Sequence, residues 1–339
     1  MFKNTFLKLT VTAVISSVLS LGLFIATAIK NVKAAQATVA TDSSYLQLQG
    51  STKQDYIREK MNCFFHMEAG TAAFPFSVPQ EYNYEKMNID GVAVEHLISK
   101  VPQTQRLILQ FHGGGYVAAL GNGHRSLGVL QSKLAGNAEV YYLDYRTAPQ
   151  YHHPAALKDA VTLYKHLLQQ GYEADNIIII GDSAGGNLAL ALALYLHDQQ
   201  LQLPRLLVLI SPWGTLENNL PSRSLNYTKD LVLGQNTSPL VPEIAHSRYA
   251  ANADLKSPYL SPLYGDMHGL PALLIQTGGY ETLLDDGLLI AKKARSAGVD
   301  VQQTTYEAMP HDFALLLPQM QESADSWAEI SAFINKRMP

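Results

Sequence analysis

Four consecutive isoleucines, Ile177 to Ile180, run straight into Gly181-Asp182-Ser183-Ala184-Gly185 and then into an apolar stretch, Leu188 to His197. A row of β-branched residues suits a strand buried on both faces. The stretch that follows reads as a buried helix. The Gly-x-Ser-x-Gly pattern is weak on its own and gains its weight from this strand–turn–helix setting. So sharp a turn brings backbone against positions 181 and 185, where any side chain would collide, so glycine is required at both. The turn also presents the Ser183 hydroxyl outward. The helix N-terminus behind it favours developing negative charge. An ordinary glycine-rich βα turn is the competing reading.

The same alternation extends over most of the chain. Val92 and Val94 mark an early strand. Arg106–Phe111, Ala138–Leu143, Leu206–Ile210, Ala272–Gln276 and Val299–Tyr306 read as further strands. Helical segments are expected at Ser126–Leu134, Ala155–Gln170, Leu283–Ala297 and Ser323–Lys336. In the second of these, Leu157, Ala160, Val161, Tyr164, Leu167 and Leu168 share one face. Strands alternating with helices imply parallel βαβ units in a mostly parallel, doubly wound sheet with helices on both faces. Two stretches depart from the pattern. Residues 36–80 lack clear periodicity, although Asp55 to Met67 could form an amphipathic helix over the mouth of a site. Ser211 to about Pro258 is rich in Pro, Asn, Ser and aromatic residues. A connection of this length is usually functional, so 36–80 and 213–258 are expected to form a small cap or lid.

A serine hydroxyl is a poor nucleophile unless a histidine takes its proton and a carboxylate orients that histidine. In α/β-hydrolases the chain order is Ser, acid, His. Of eleven histidines, only His246, His268 and His311 follow Ser183 beyond the next helix. His311 lies in Met309-Pro310-His311-Asp312-Phe313, between the last strand and the last helix, where a base is needed. His246 and His268 read as surface or lid residues. The acid belongs just past Ala272–Gln276, among Glu281, Asp285 and Asp286. Glu281 is preferred, because it comes first in the loop at the strand's carboxyl end, where sites of this sheet type collect. Asp285 and Asp286 open the next helix, where acids face the dipole favourably, and Asp285 is the second choice. His112-Gly113-Gly114-Gly115 follows another strand, and its unobstructed N–H groups suit an oxyanion. Gly113, Gly114 and Ala184 are assigned as the donors. His112 is given a structural hydrogen-bonding role. A phosphate-binding glycine loop fits less well, since no G-x-G-x-x-G or G-K-[ST] pattern follows.

Taken together, His112–Tyr116 (HGGGY), Asp144–Pro149 (DYRTAP) with Pro154–Leu157 (PAAL), Gly181–Asn187 (GDSAGGN) and Ser261–Asp266 (SPLYGD) resemble the hormone-sensitive-lipase-like esterases of the α/β-hydrolase fold. The resemblance runs from about residue 106 to 315, with the motifs in order. It implies cofactor-free hydrolysis of short-chain acyl esters through an acyl-enzyme, and a cap built mostly from the N-terminal segment. It supports Gly113 and Gly114 as oxyanion donors. Most members carry Asp at the acid position, where this chain has Glu281. Asp144 and Arg146 belong to a structural motif.

Bulk properties narrow the alternatives. The net charge of -4 argues against a nucleic-acid partner. The single Cys63 excludes an internal disulfide and a cysteine-rich zinc site. His152-His153 are adjacent, so their side chains point apart, and no H-E-x-x-H is present; no metal is expected. Tyr141, Tyr142 and Tyr145 read as sheet-end packing. At the N-terminus, Lys3 and Lys8 precede the uncharged run Leu9 to Ile29, and Val32-Lys33-Ala34 has signal-peptidase spacing. The run is also long enough to span a bilayer. Residues 1–35 are therefore expected to be a cleaved signal peptide or a retained membrane anchor. Either one puts residues 36–339 outside the cytoplasm, secreted or at the cell surface, and membrane contact would come only through that segment. Competing readings are an amidase or deacetylase acting on a cell-surface polymer, and a non-catalytic ligand receptor on the same fold.

Overall fold

A computed structural model describes residues 45–65, 76–234 and 238–339; the leader expected at 1–35 lies outside them. The isoleucine run forms β5 (Ile177–Asp182) near the middle of an eight-stranded sheet, with all four isoleucines essentially inaccessible. The other strands are β1 (Tyr82–Ile89), β2 (Val92–Ser99), β3 (Leu107–Phe111), β4 (Glu139–Asp144), β6 (Leu206–Ile210), β7 (Ala272–Gly278) and β8 (Val301–Tyr306). Their order is β1-β2-β4-β3-β5-β6-β7-β8. The pairs β1–β2 and β2–β4 are antiparallel and the remaining pairs parallel. This is the mostly parallel, doubly wound sheet that the alternation implies.

The helices are α1 (Gly50–Phe65), α2 (Asn122–Leu134), α3 (Ala155–Gln169), α4 (Ala184–Asp198), the short α5 (Ser222–Leu225) and α6 (Val241–Ala245), α7 (Leu284–Ser296), the short α8 (Phe313–Leu316) and α9 (Gln321–Arg337). Helices α2 and α9 pack together on one face of the sheet, with α3 and α4 on the other. Helix α4 is apolar all round, as expected of a helix sandwiched between sheet and neighbours.

Strand β1 is absent from the sequence-based expectation. Its residues YNYEKMNI expose polar side chains along most of their length, as an outermost antiparallel strand can. At the opposite edge, β8 is polar too. Its Gln302, Thr304 and Tyr306 point to one side and all donate to Glu329 of α9. That helix thus covers a strand that has little apolar surface to bury.

Helix α1 begins five residues earlier than the sequence pattern suggests. It docks on the segment that carries His311. Buried Lys53 bonds the Glu307 carbonyl at 2.9 Å and the Glu322 carboxylate at 2.6 Å, and Gln54 bonds the Ala308 carbonyl. Leu46 and Met320 form a single parallel bridge beside it. The start of the described chain is thereby fastened to the loop that follows β8.

Candidate active site

The carboxyl ends of β3, β5, β7 and β8 converge, and each contributes one part of the site. The turn after β5 holds Ser183 at φ 52°, ψ -117°, a conformation that non-glycine residues rarely adopt. Strain of this kind persists only where the surroundings impose it. Here the Ser183 N–H donates to the Ile210 carbonyl at 2.9 Å, and the Ser183 carbonyl accepts from Trp213 at 3.1 Å. The flanking glycines are obligatory. A Cβ on Gly181 would lie 2.3 Å from the Gly185 carbonyl oxygen, and one on Gly185 would lie 2.0 Å from that of Phe111.

His311 Nε2 lies 3.0 Å from Ser183 Oγ, and His311 Nδ1 lies 3.2 Å from Glu281 Oε2. All three residues are buried, and Glu281 is fully inaccessible. The other carboxylates of that loop are engaged elsewhere. Asp285 accepts the Ser222 N–H at 2.7 Å. Asp286 binds the Arg223 guanidinium at 2.5 and 3.0 Å and the N–H groups of Gly214 and Thr215. These two acids anchor the long insertion after β6, and of the three carboxylates in that loop Glu281 alone reaches His311. Asp286 is fully buried and Arg223 nearly so. Breaking a buried pair by removing one partner costs about 3–5 kcal/mol. Arg223→Met is expected to lower unfolding stability by about that amount in urea denaturation; a loss below about 1 kcal/mol would show that the backbone donors alone satisfy Asp286.

The glycine loop departs from expectation at one position. The Gly113 N–H donates to Asp182 Oδ2 at 2.9 Å, and a Cβ there would lie 2.2 Å from the same oxygen. Gly113 therefore fastens the loop to the elbow and has no N–H free for an oxyanion, which corrects its assignment as a donor. Gly114 and Gly115, at φ 111° and 62°, have N–H groups with no acceptor among the described residues. Ala184 is the first residue of α4, where no intrahelical acceptor is available. The geometry thus keeps Gly114 and Ala184 as candidate donors and adds Gly115.

The other histidines fall away. His112 is buried, bonds the Gly113 carbonyl at 2.8 Å and stacks on Tyr145 with ring centres 4.1 Å apart. Burial holds it in the neutral form, down to about 3. The Tyr145 hydroxyl donates to the His112 carbonyl at 2.6 Å, so this tyrosine supports the glycine loop as well as packing the sheet end. His246 ends α6 in the insertion, and His268 is exposed beside Asp266. His152 binds the Arg248 carbonyl and His153 meets the edge of Tyr249.

A family profile described as alpha/beta hydrolase fold matches residues 108–315, a span that holds the glycine loop, Ser183, Glu281 and His311. The chain belongs to the α/β-hydrolase family. It falls in the hormone-sensitive-lipase-like branch. A crystal structure of an esterase from the bacterial hormone-sensitive lipase family superposes with TM-score 0.76 at 30% identity, covering 86% of this chain and 100% of that one. An acetyl-hydrolase of Streptomyces hygroscopicus is 37% identical over 228 residues, 66% of this chain and 74% of the relative. An esterase of Acinetobacter venetianus is 35% identical over 251 residues, 73% of this chain and 80% of the relative.

In this α/β-hydrolase, burial raises the Glu281 carboxyl to about 7, against the pull of the adjacent imidazole. Burial acts the other way on His311, but Asp312 and Glu281 together outweigh it and hold the ring well above the ordinary histidine value. Four supporting residues have no role assigned by the sequence patterns. Buried Asp230 lies in the insertion; it accepts the Thr282 N–H at 2.8 Å and the His311 N–H at 3.4 Å, and so ties the acid loop to the base loop. Asn187 on α4 donates to the Trp213 and Leu260 carbonyls and accepts from Tyr116 Oη, which links the glycine loop to the nucleophile's helix. Asp182 and Asp312 each adjoin a site residue in sequence, which was the available signal for them.

Proposed function

We propose that this α/β-hydrolase is a serine carboxylesterase that cleaves short-chain acyl esters by way of an acyl-enzyme. The observation that carries this reading is the continuous line from Glu281 through His311 to Ser183, set beside unpaired backbone donors. Ser183 Oγ attacks the ester carbonyl carbon while His311 Nε2 takes the hydroxyl proton, and Glu281 steadies the resulting imidazolium through Nδ1. The carbonyl oxygen becomes an oxyanion held by N–H groups of Gly114, Gly115 and Ala184. Collapse breaks the bond to the alkoxy oxygen, which leaves with the proton from Nε2. Water then attacks the acyl-enzyme under the same base, releasing the acid and restoring Ser183.

Short acyl groups are supported by the approach of the insertion to the glycine loop. A Cβ on Gly115 would be at ordinary contact distance from Leu240 and Glu243, each 3.6 Å away, so the insertion borders the glycine loop there. The acetyl-hydrolase among the relatives points the same way. The lysine-flanked apolar run Leu9–Ile29 supports export, and we propose that the enzyme works outside the cytoplasm. Rates on p-nitrophenyl esters from acetate to decanoate, alongside matched anilides, test the substrate reading. kcat/KM is expected to be highest among the shortest esters. A maximum at decanoate would overturn the short-acyl limit, and faster cleavage of the anilides would replace esterase by amidase.

A further inference from the structure

His311 Nε2 has a second neighbour. Asp312 Oδ2 lies 3.0 Å away, the same separation as Ser183 Oγ. An imidazole nitrogen presents one in-plane position, a lone pair or an N–H, and cannot serve two acceptors fully. With Nδ1–H given to Glu281, a neutral ring offers Nε2 a bare lone pair. That lone pair suits the Ser183 hydroxyl. An ionised Asp312 beside it sets lone pair against lone pair unless a proton lies between them. Asp312 is mostly shielded from water, and its other oxygen, Oδ1, has no partner among the described residues. Little besides His311 compensates its charge.

We propose that Asp312 is a second carboxylate partner of His311, a positioning residue that holds the imidazolium at rest and so sets the pH at which Ser183 becomes activated. The proposal rests on the ester-hydrolase reading of the site. A proton kept on Nε2 by the nearby Asp312 charge occupies the position that the Ser183 proton must enter, so the nucleophile waits until that proton is lost. The other charged groups around the ring are few. Glu281 faces Nδ1 from the loop after β7, and Asp230 lies under the His311 N–H from the insertion. Behind Asp312 stand Asp182 of the elbow and His124 of α2, which bond each other at 3.1 Å, with Arg125 next along that helix. Asp182 adds negative charge on that side, and the Gly113 N–H and His124 partly offset it. Both carboxylates nearest the ring favour its charged form, as does the raised proton affinity of His311.

Residue 312 has φ 51°. Asn and Gly tolerate that conformation, so Asp312→Asn and Asp312→Gly should fold. The measurement is the pH dependence of fluorophosphonate labelling of Ser183, with kcat/KM on p-nitrophenyl acetate beside it. A charge this close moves a titration by about 1–3 pH units, so the acidic limb is expected to fall by about that much in both variants, with the alkaline plateau kept within a few-fold. For the wild type, the limb is expected above the ordinary histidine value of about 6.5. A wild-type limb at or below that value, or variant limbs coincident with the wild type, would overturn the proposal. NMR titration of the His311 ring proton reads the same shift without any substrate. Absence of both labelling and hydrolysis would therefore count against the esterase reading, and an unshifted ring titration against Asp312.

Discussion

Ser183→Ala is expected to lower kcat on a p-nitrophenyl ester by about 10⁶-fold, the scale at which loss of a triad nucleophile disables a serine hydrolase. The variant loses one oxygen from a residue that is 4% exposed, so KM and thermal stability should barely move. The strained backbone at position 183 is held by its contacts to Ile210 and Trp213, not by the hydroxyl. Covalent labelling by a fluorophosphonate should disappear altogether. Residual hydrolysis within about 100-fold of wild type would mean that another group attacks the ester, and Ser183 would leave the mechanism.

Glu281→Gln should reduce kcat by about 10⁴-fold. The amide keeps the shape of the side chain. It can turn an N–H toward His311 Nδ1, which drives the ring to the tautomer with its proton on Nε2, facing Ser183. The nucleophile then finds no lone pair. Because Glu281 is fully buried at 3.2 Å from Nδ1, no water can stand in for it. Asp285→Asn is the matched control. Asp285 caps the Ser222 N–H, so this change should leave kcat within a few-fold and touch only stability. A loss of less than about tenfold in Glu281→Gln, or an equal loss in Asp285→Asn, would reassign the acid.

Much of this site was legible because its parts occupy fixed places relative to strands. The isoleucine run marks the central strand from composition alone, and the glycines at 181 and 185 are where backbone oxygens leave no room for a Cβ. Chain order then reduces eleven histidines to His311. What escaped depends on distance in three dimensions. Gly113 and Gly114 look equivalent in a row of three glycines, and only the approach of Asp182 from a different strand separates them. Asp230 sits in a stretch without periodicity, so nothing local reveals that its carboxylate spans two loops. Strand β1 was invisible because an outer strand with a solvated face has no apolar run to announce it.

The anchoring of the insertion has a bearing on how this enzyme could be re-engineered or diversify. Residues 214–230 are fastened to the acid loop by Arg223, Ser222, Asn226 and Asp230, and that last carboxylate also reaches the base. This part of the insertion forms one mechanical unit with the loops that carry Glu281 and His311. Swapping it for a homologous loop would disturb the register of Glu281 and His311 unless all four anchors travelled with it. The stretch around Leu240 and Glu243 touches the glycine loop and makes none of these four anchors. Sequence variation has freer play there, and a directed library would lose fewest members to inactive clones if confined to that side.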